Sequence, residues 1–260
     1  MLTISPIPAF SDNYIWHLQQ GGDHWVVDPG DARPVFDALD DKPLSGILIT
    51  HHHPDHTGGI AELHRHYGCP VYGPGSIEGV TEPLANGDQR EILGQPMQVM
   101  DVPGHTLDHL ALLIEEPGSN GTPQLHLFCG DTLFAAGCGR LFEGTPVQMY
   151  QSLSKLAALP PETRVYCAHE YTLANLHFAE AVEPGNAAIR NRIAESEKLR
   201  ADDRATLPST IGEELATNPF LRCHIPGVAR RAANHGANGG TEDSDEVEVF
   251  ARLRRWKDKF

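Results

Sequence analysis

Short apolar runs punctuated by glycine and proline fill the chain from Leu2 to about Tyr171. Their β-branched and aromatic content predicts strands at Tyr14 to Leu18, Trp25 to Val27, Gly46 to Thr50, Met97 to Val102, Leu110 to Ile114, Leu125 to Cys129 and Arg164 to Cys167. Helical periodicity interrupts them at Ala32 to Leu39, Gly59 to Tyr67 and Pro146 to Leu159, the last with Val147, Met149, Tyr150, Leu153, Leu156 and Leu159 on nearly one face. Strands interspersed with helices predict an α/β layered domain, residues 1–172. Beyond Thr172 the pattern turns helical, at Leu173 to Val182 and Ala187 to Ala201, and predicts a smaller, mainly helical domain, residues 173–260. His224 to Ser244 shows no period and reads as a long loop, with a final helix at Asp245 to Lys259.

Composition narrows the class. The 260 residues carry 20 Lys+Arg against 35 Asp+Glu, a net charge of −15, which opposes nucleic-acid binding unless basic groups are segregated. Only the C-terminus segregates them, with five basic residues between Arg252 and Phe260. No run approaches the roughly 18 apolar residues of a membrane span, and MLTISPIPAF lacks the layout of a signal peptide. Five cysteines, Cys69, Cys129, Cys138, Cys167 and Cys223, form no C-x-x-C pair and suit a reducing, cytoplasmic compartment. A monomer is expected.

The 15 histidines are concentrated where chemistry would need them. Directly after Gly46 to Thr50 come His51, His52, His53, Pro54, Asp55 and His56. Alternation along an extended loop aims His51 and His53 at one point and His52 away, while Asp55 and His56 address a second point where the chain turns into a helix. Three other predicted strands run into a ligand-capable residue: His105 after Met97 to Val102, Asp131 after Leu125 to Cys129, and His169 after Arg164 to Cys167. Gathered at one rim, these seven are too many for one tetrahedral ion and suit two ions sharing a carboxylate. Histidine and carboxylate donors suit zinc, with iron or manganese as alternatives. His109 reads as packed or as an outer partner, His64 and His66 as solvated, and Glu170 as a structural acceptor. The cysteines near the ligands read as small buried residues.

T-H-H-H-x-D-H (Thr50 to His56), P-G-H-T (Pro103 to Thr106), G-D-T-L-F-x-x-G-C-G-R (Gly130 to Arg140) and A-H-E-Y-T (Ala168 to Thr172) resemble the metallo-β-lactamase superfamily. Within it, G-C-G-R, the Glu143 to Thr145 segment and the Arg254 to Phe260 ending resemble the type II glyoxalases, the hydroxyacylglutathione hydrolases. The resemblance runs from Ser11 to the last residue and is weakest from about 205 to 245. It implies a four-layer αββα sandwich with a helical C-terminal domain, and thioester hydrolysis of S-(2-hydroxyacyl)glutathione. It places one ion on His51, His53 and His105 and the other on Asp55, His56 and His169, with Asp131 bridging. It also implies that Asp55 and Asp131 serve catalysis and that Arg140, Tyr171, Arg254 and Lys257 hold glutathione. Phe142 departs from members that carry a tyrosine there, removing one hydroxyl. A one-iron persulfide dioxygenase on the same fold, a secreted β-lactamase, a nucleic-acid binder using the basic tail and a non-catalytic metal-binding domain are the rivals. The complete second ligand set, the carboxylate at Asp131 and the acidic balance weigh against the first three.

Overall fold

The computed structural model describes residues 1–118, 121–235 and 245–260. Its contacts divide the chain into two compact units. One comprises residues 1–102, 108–130 and 163–170; the other comprises 103–107, 131–162 and 171–260.

The first unit carries two sheets. One runs in the order Thr3–Ala9, Asn13–Gln20, Asp23–Val27, Gly46–Leu48, Val71–Pro74, Glu82–Leu84. The other contains Arg164–Cys167, Gln124–Gly130, Leu110–Glu116, Gln95–Asp101 and Gln89–Ile92, neighbours in that order. Period-two alternation assigns the faces. Ile15 and Val26 pack with Val35 and Leu39 of helix Ala32–Leu39 and with Ile60 and Leu63 of helix Ile60–Tyr67, forming a layer of helices on the first sheet. Trp16, pointing the opposite way from Ile15, meets Tyr166 edge-on at 4.9 Å and donates its indole N–H to the Cys167 carbonyl at 2.9 Å, so the second sheet covers the other face.

Most predicted elements form within two residues of their expected ends. Strand Thr3–Ala9 escaped the pattern because Pro6 and Pro8 interrupt it; at the edge of a sheet, proline costs no ladder bond on its solvent side. Gly46 to Thr50 stops as a strand at Leu48. Thr50 instead binds the Asp28 carboxylate, through its N–H at 2.8 Å and its hydroxyl at 2.7 Å. His64, expected in solvent, is half-buried and bonded through Nδ1 to the Cys69 carbonyl at 2.7 Å.

His17 and His24 stack across adjacent strands with ring centroids 5.1 Å apart, Nε2 of the first lying 2.9 Å from Nδ1 of the second. Burial, then the partner ring and Lys42, push His17 below its ordinary value; burial, then Lys42, push His24 down. In mildly acid solution the unfolded chain therefore binds more protons than the folded one, and stability falls as pH drops below the ordinary histidine value of 6.5. The melting temperature should decline from about pH 7.5 to about pH 5.5, less steeply in His17→Gln. Equal slopes in a pair of melting series would show that the two rings do not set the acid limit.

The second unit is mainly helical, with Pro146–Ala157, Thr172–Val182, Ala187–Ala201, Ile211–Thr217, Pro226–His235 and Glu246–Lys257. Thr145 and Gln148 form a reciprocal capping box at the first of these, and Met149, Leu153 and Leu156 are its buried stripe, while Val147 stays exposed. Phe178, Phe220, Phe250 and Trp256 form an aromatic core, with neighbouring centroids 5.1 to 5.9 Å apart. The expected loop from His224 is a helix over Pro226–His235, because Val228, Ala232 and Ala233 bury one stripe of it. Residues 236–244 of that expected loop lie outside the described residues. No helix among the described residues is long and apolar enough to cross a membrane.

Candidate metal centre and substrate pocket

In the first unit the loop after Gly46–Leu48 gathers imidazoles and one carboxylate. His51 and His56 are fully buried, with ring centroids 4.2 Å apart, and His53 and Asp55 are half-buried. His53 caps the short helix Pro54–Thr57, whose first residue is proline. His51 Nε2 lies 3.1 Å from His53 Nδ1. His52 turns away to the Asp108 carboxylate at 2.9 Å. Asp55 Oδ2 lies 3.4 Å from His56 Nε2 and 3.5 Å from His169 Nε2.

In the second unit His105 and Asp131 are both buried, and His105 Nε2 stands 3.4 Å from Asp131 Oδ2. Bonds of about 2.0–2.2 Å to one tetrahedral ion hold neighbouring donor atoms roughly 3.4 Å apart, so these separations suit a shared cation.

The tautomers agree with that use. His56 Nδ1 faces Asp28 Oδ2 at 3.1 Å, His169 Nδ1 faces Asp12 Oδ1 at 2.8 Å, and His105 Nδ1 faces the Arg140 carbonyl at 2.9 Å. Each acceptor fixes the proton on Nδ1 and leaves the Nε2 lone pair for a metal. The Thr50 hydroxyl, already donating to Asp28, accepts from His51 Nδ1 at 3.1 Å and orients that ring likewise. Asp55 Oδ2 accepts from the Asn13 amide at 3.0 Å. An aspartate is a carboxylate at neutral pH, the form that ligates a metal.

Asp28, Asp12 and Asn13 are absent from the sequence-based set. The signal for Asp28 was present, since Trp25 to Val27 also runs straight into a carboxylate. His109 is buried and stacks on His51 at 4.5 Å, with Nδ1 on the Leu110 carbonyl at 3.1 Å. Glu170 accepts from the Tyr14 hydroxyl at 2.9 Å. Gly130, with φ of 45°, leaves no room for a side chain: a Cβ would lie 2.4 Å from the Thr50 hydroxyl and 2.8 Å from the His109 ring.

A cavity of about 560 Å³ opens in the second unit. It is lined by His105 and Asp131, by the aromatic rings of Phe134, Phe142, Tyr171 and Phe260, and by Arg140, Arg254 and Lys257. Phe142 is exposed and its ring meets His105 edge-on at 5.2 Å. Arg254 is buried, donating to the Cys138 carbonyl at 2.8 Å and pairing with Asp258 at 2.9 Å. Lys257 donates to the Ala174 carbonyl at 3.2 Å and lies over the Phe178 and Phe260 rings. Asp258 lines the same cavity, so three cations there stand beside the carboxylates of Asp131 and Asp258.

The family model of the metallo-β-lactamase superfamily matches residues 10–169, and that of the hydroxyacylglutathione hydrolase C-terminus matches 170–260. Hydroxyacylglutathione hydrolases of Pseudomonas aeruginosa strain LESB58 and Dechloromonas aromatica strain RCB are 53% and 50% identical, each alignment covering all of both chains. Among solved structures, ETHE1 from Myxococcus xanthus superposes with a TM-score of 0.63 at 21% identity, over 98% of this chain and 90% of its own. TTHA1623, solved in a di-iron-bound form, gives 0.56 at 25% identity, over 84% of this chain and 100% of its own. The fold is thus that of the metallo-β-lactamases with a helical C-terminal region, and its histidine and aspartate clusters fit metal binding. Two family models meeting end to end, with half the residues shared along whole relatives, leave one assignment: the chain belongs to the hydroxyacylglutathione hydrolase family of the metallo-β-lactamase superfamily.

Proposed function

We propose that this chain hydrolyses S-(2-hydroxyacyl)glutathione, typically S-D-lactoylglutathione, to glutathione and a 2-hydroxy acid such as D-lactate, a step of methylglyoxal detoxification. The observation that carries the reading is the cavity in which two candidate ligands, His105 and Asp131, share walls with Arg140, Tyr171, Arg254 and Lys257. Glutathione is an anionic tripeptide, and these cations and rings suit its carboxylates and its stem.

Two divalent ions, zinc with iron or manganese as alternatives, would be held by His51, His53 and His105 and by Asp55, His56 and His169, with Asp131 common to both. When bound, they activate water at neutral pH and polarise the thioester carbonyl. Asp55, a carboxylate at neutral pH, would orient the attacking water and relay its proton to solvent. Water oxygen bonds to the acyl carbon, the carbon–sulfur bond breaks, and glutathione leaves as a thiolate that needs little proton assistance at its low pKa of roughly 8.5 to 9. Residues 1–172 form the catalytic domain in this reading, and 173–260 contribute to the substrate site. All five cysteines are buried thiols, which supports a cytoplasmic enzyme; it acts as a monomer, without nucleic acid or membrane.

Metal analysis should find about two ions per chain, and a chelator should abolish turnover until metal is restored. S-D-lactoylglutathione should be cleaved far faster than the matching coenzyme A thioester. Full activity with one tightly bound ion would refute the binuclear reading, and equal use of the two thioesters would refute the glutathione site.

A further inference from the structure

Strands Leu133–Phe134 and Gly137–Cys138 form a hairpin between Asp131 and Arg140. Its turn residues Ala135 and Ala136 are buried, and Ala136 adopts a left-handed φ of 54°. A turn taken out of water has to satisfy its backbone polar groups within the protein. Three side chains from the helical region do so. Glu214 Oε2 accepts from the Ala136 N–H at 2.7 Å. Asn218 Nδ2 donates to the Gly137 and Phe134 carbonyls at 2.9 and 3.2 Å, and Asn175 Nδ2 donates to the Ala135 carbonyl at 3.0 Å. A Cβ on Gly137 would lie 2.5 Å from the Asn175 amide, so only glycine lets the chain come this close.

Glu214 has no exposure to solvent, and its other contacts hold it in place. Its Oε2 lies 3.0 Å from the Asn218 amide, and its Oε1 takes Arg192 Nη2 at 2.7 Å. Arg192, itself buried, is steadied by the Thr217 hydroxyl at 2.6 Å and by Glu213 at 3.2 Å. A buried ion pair adds little to stability over an apolar replacement, and its best-attested use is to fix one arrangement. Here the carboxylate and the amide together fix the backbone from Phe134 to Gly137. Phe134, Cys138 and Arg140, all on this hairpin or just after it, line the cavity with Asp131.

We propose that Glu214 and Asn218 are positioning residues for the substrate pocket, holding the Leu133 to Cys138 hairpin so that Phe134 and Arg140 are presented to the glutathione part of the thioester. This rests on the function proposed above. In the full-length, metal-loaded protein, Asn218→Ala should raise KM for S-D-lactoylglutathione about tenfold, the low end for losing a group behind a contact, with kcat and metal content held within about twofold. Glu214→Gln, which keeps one oxygen for the Ala136 N–H, should raise it less. Both should speed hydrogen exchange of amides 133–138. Arg222→Ala, which breaks the ion pair to Glu183 elsewhere in the same unit, should lower the melting temperature and leave KM unchanged. An Asn218→Ala protein that melts early with unchanged KM, or that loses metal or kcat instead, would overturn the proposal. If Asn218→Ala does not fold, Glu214→Gln decides it by the same readouts. An inactive parent would refute the function alone, and unchanged exchange at 133–138 would still refute the positioning role.

Discussion

Asp131→Ala should lose more turnover than any other single substitution in the second unit and should lose bound metal with it. Asp131 is buried with its Oδ2 3.4 Å from His105 Nε2, and it follows Gly130, whose left-handed φ and crowded surroundings suit only glycine. In the proposed reading Asp131 is the oxygen donor common to both ions, so its removal would weaken each at once. His109→Ala is the measure of comparison, because His109 stacks on the His51 ring and bonds through Nδ1 to the Leu110 carbonyl. Losing a group that orients a ligand typically costs about 10 to 100-fold. The Asp131 variant should exceed that range, and its metal content should drop from about two ions per chain to one or fewer. Asp131→Asn, which keeps an oxygen without the charge, should fall between them. Matching losses of kcat and metal in the Asp131 and His109 variants would show that the bridge has been assigned to the wrong residue.

The candidate metal ligands stood out because the runs before them read as strands, and strand ends are where a layered α/β fold collects its chemistry. Asp28 obeys the same rule and was missed because a D-P-G turn explains an aspartate equally well. Asp12 lies in the tight connection between Thr3–Ala9 and Asn13–Gln20 and Asn13 opens the second strand, places where polar residues are unremarkable by sequence. Charge segregation flagged the basic C-terminus, but the place where its cations meet the rest of the cavity was not legible. Arg254 reaches the Cys138 carbonyl across 116 residues, and no local period encodes such a meeting. The same holds for Glu214 and Asn218, which sit in the stretch where the family resemblance is weakest. Short prolines and small residues also hid structure. Pro6 and Pro8 concealed an edge strand, and Gly227 with a run of alanines concealed a helix that buries only Val228, Ala232 and Ala233.

Replacing both Arg254 and Lys257 by alanine should weaken substrate capture while leaving metal in place. Neither residue is a proposed ligand, yet both line the cavity with His105 and Asp131. Each charge-assisted contact is worth roughly 1.5 to 3 kcal/mol, so each lost cation should raise KM by about 10 to 100-fold. The two do not act alike. Arg254 spends part of its guanidinium on the Cys138 carbonyl and on Asp258, so Arg254→Ala should also lower the melting temperature. Lys257 makes one bond to the Ala174 carbonyl, and Lys257→Ala should change KM with little effect on stability. Burial first, then Arg254 and Arg140, push the Lys257 amine below its ordinary value, so it sheds its proton at lower pH than a free lysine. The sign follows: KM of the parent should climb as the solution becomes alkaline, and Lys257→Ala should abolish that climb. Added salt should weaken binding by the parent more than by the double variant, since screening acts on an attraction the variant no longer has. A fall in kcat at constant KM, or loss of metal, would mean that helix Glu246–Lys257 supports the fold and that glutathione binds elsewhere.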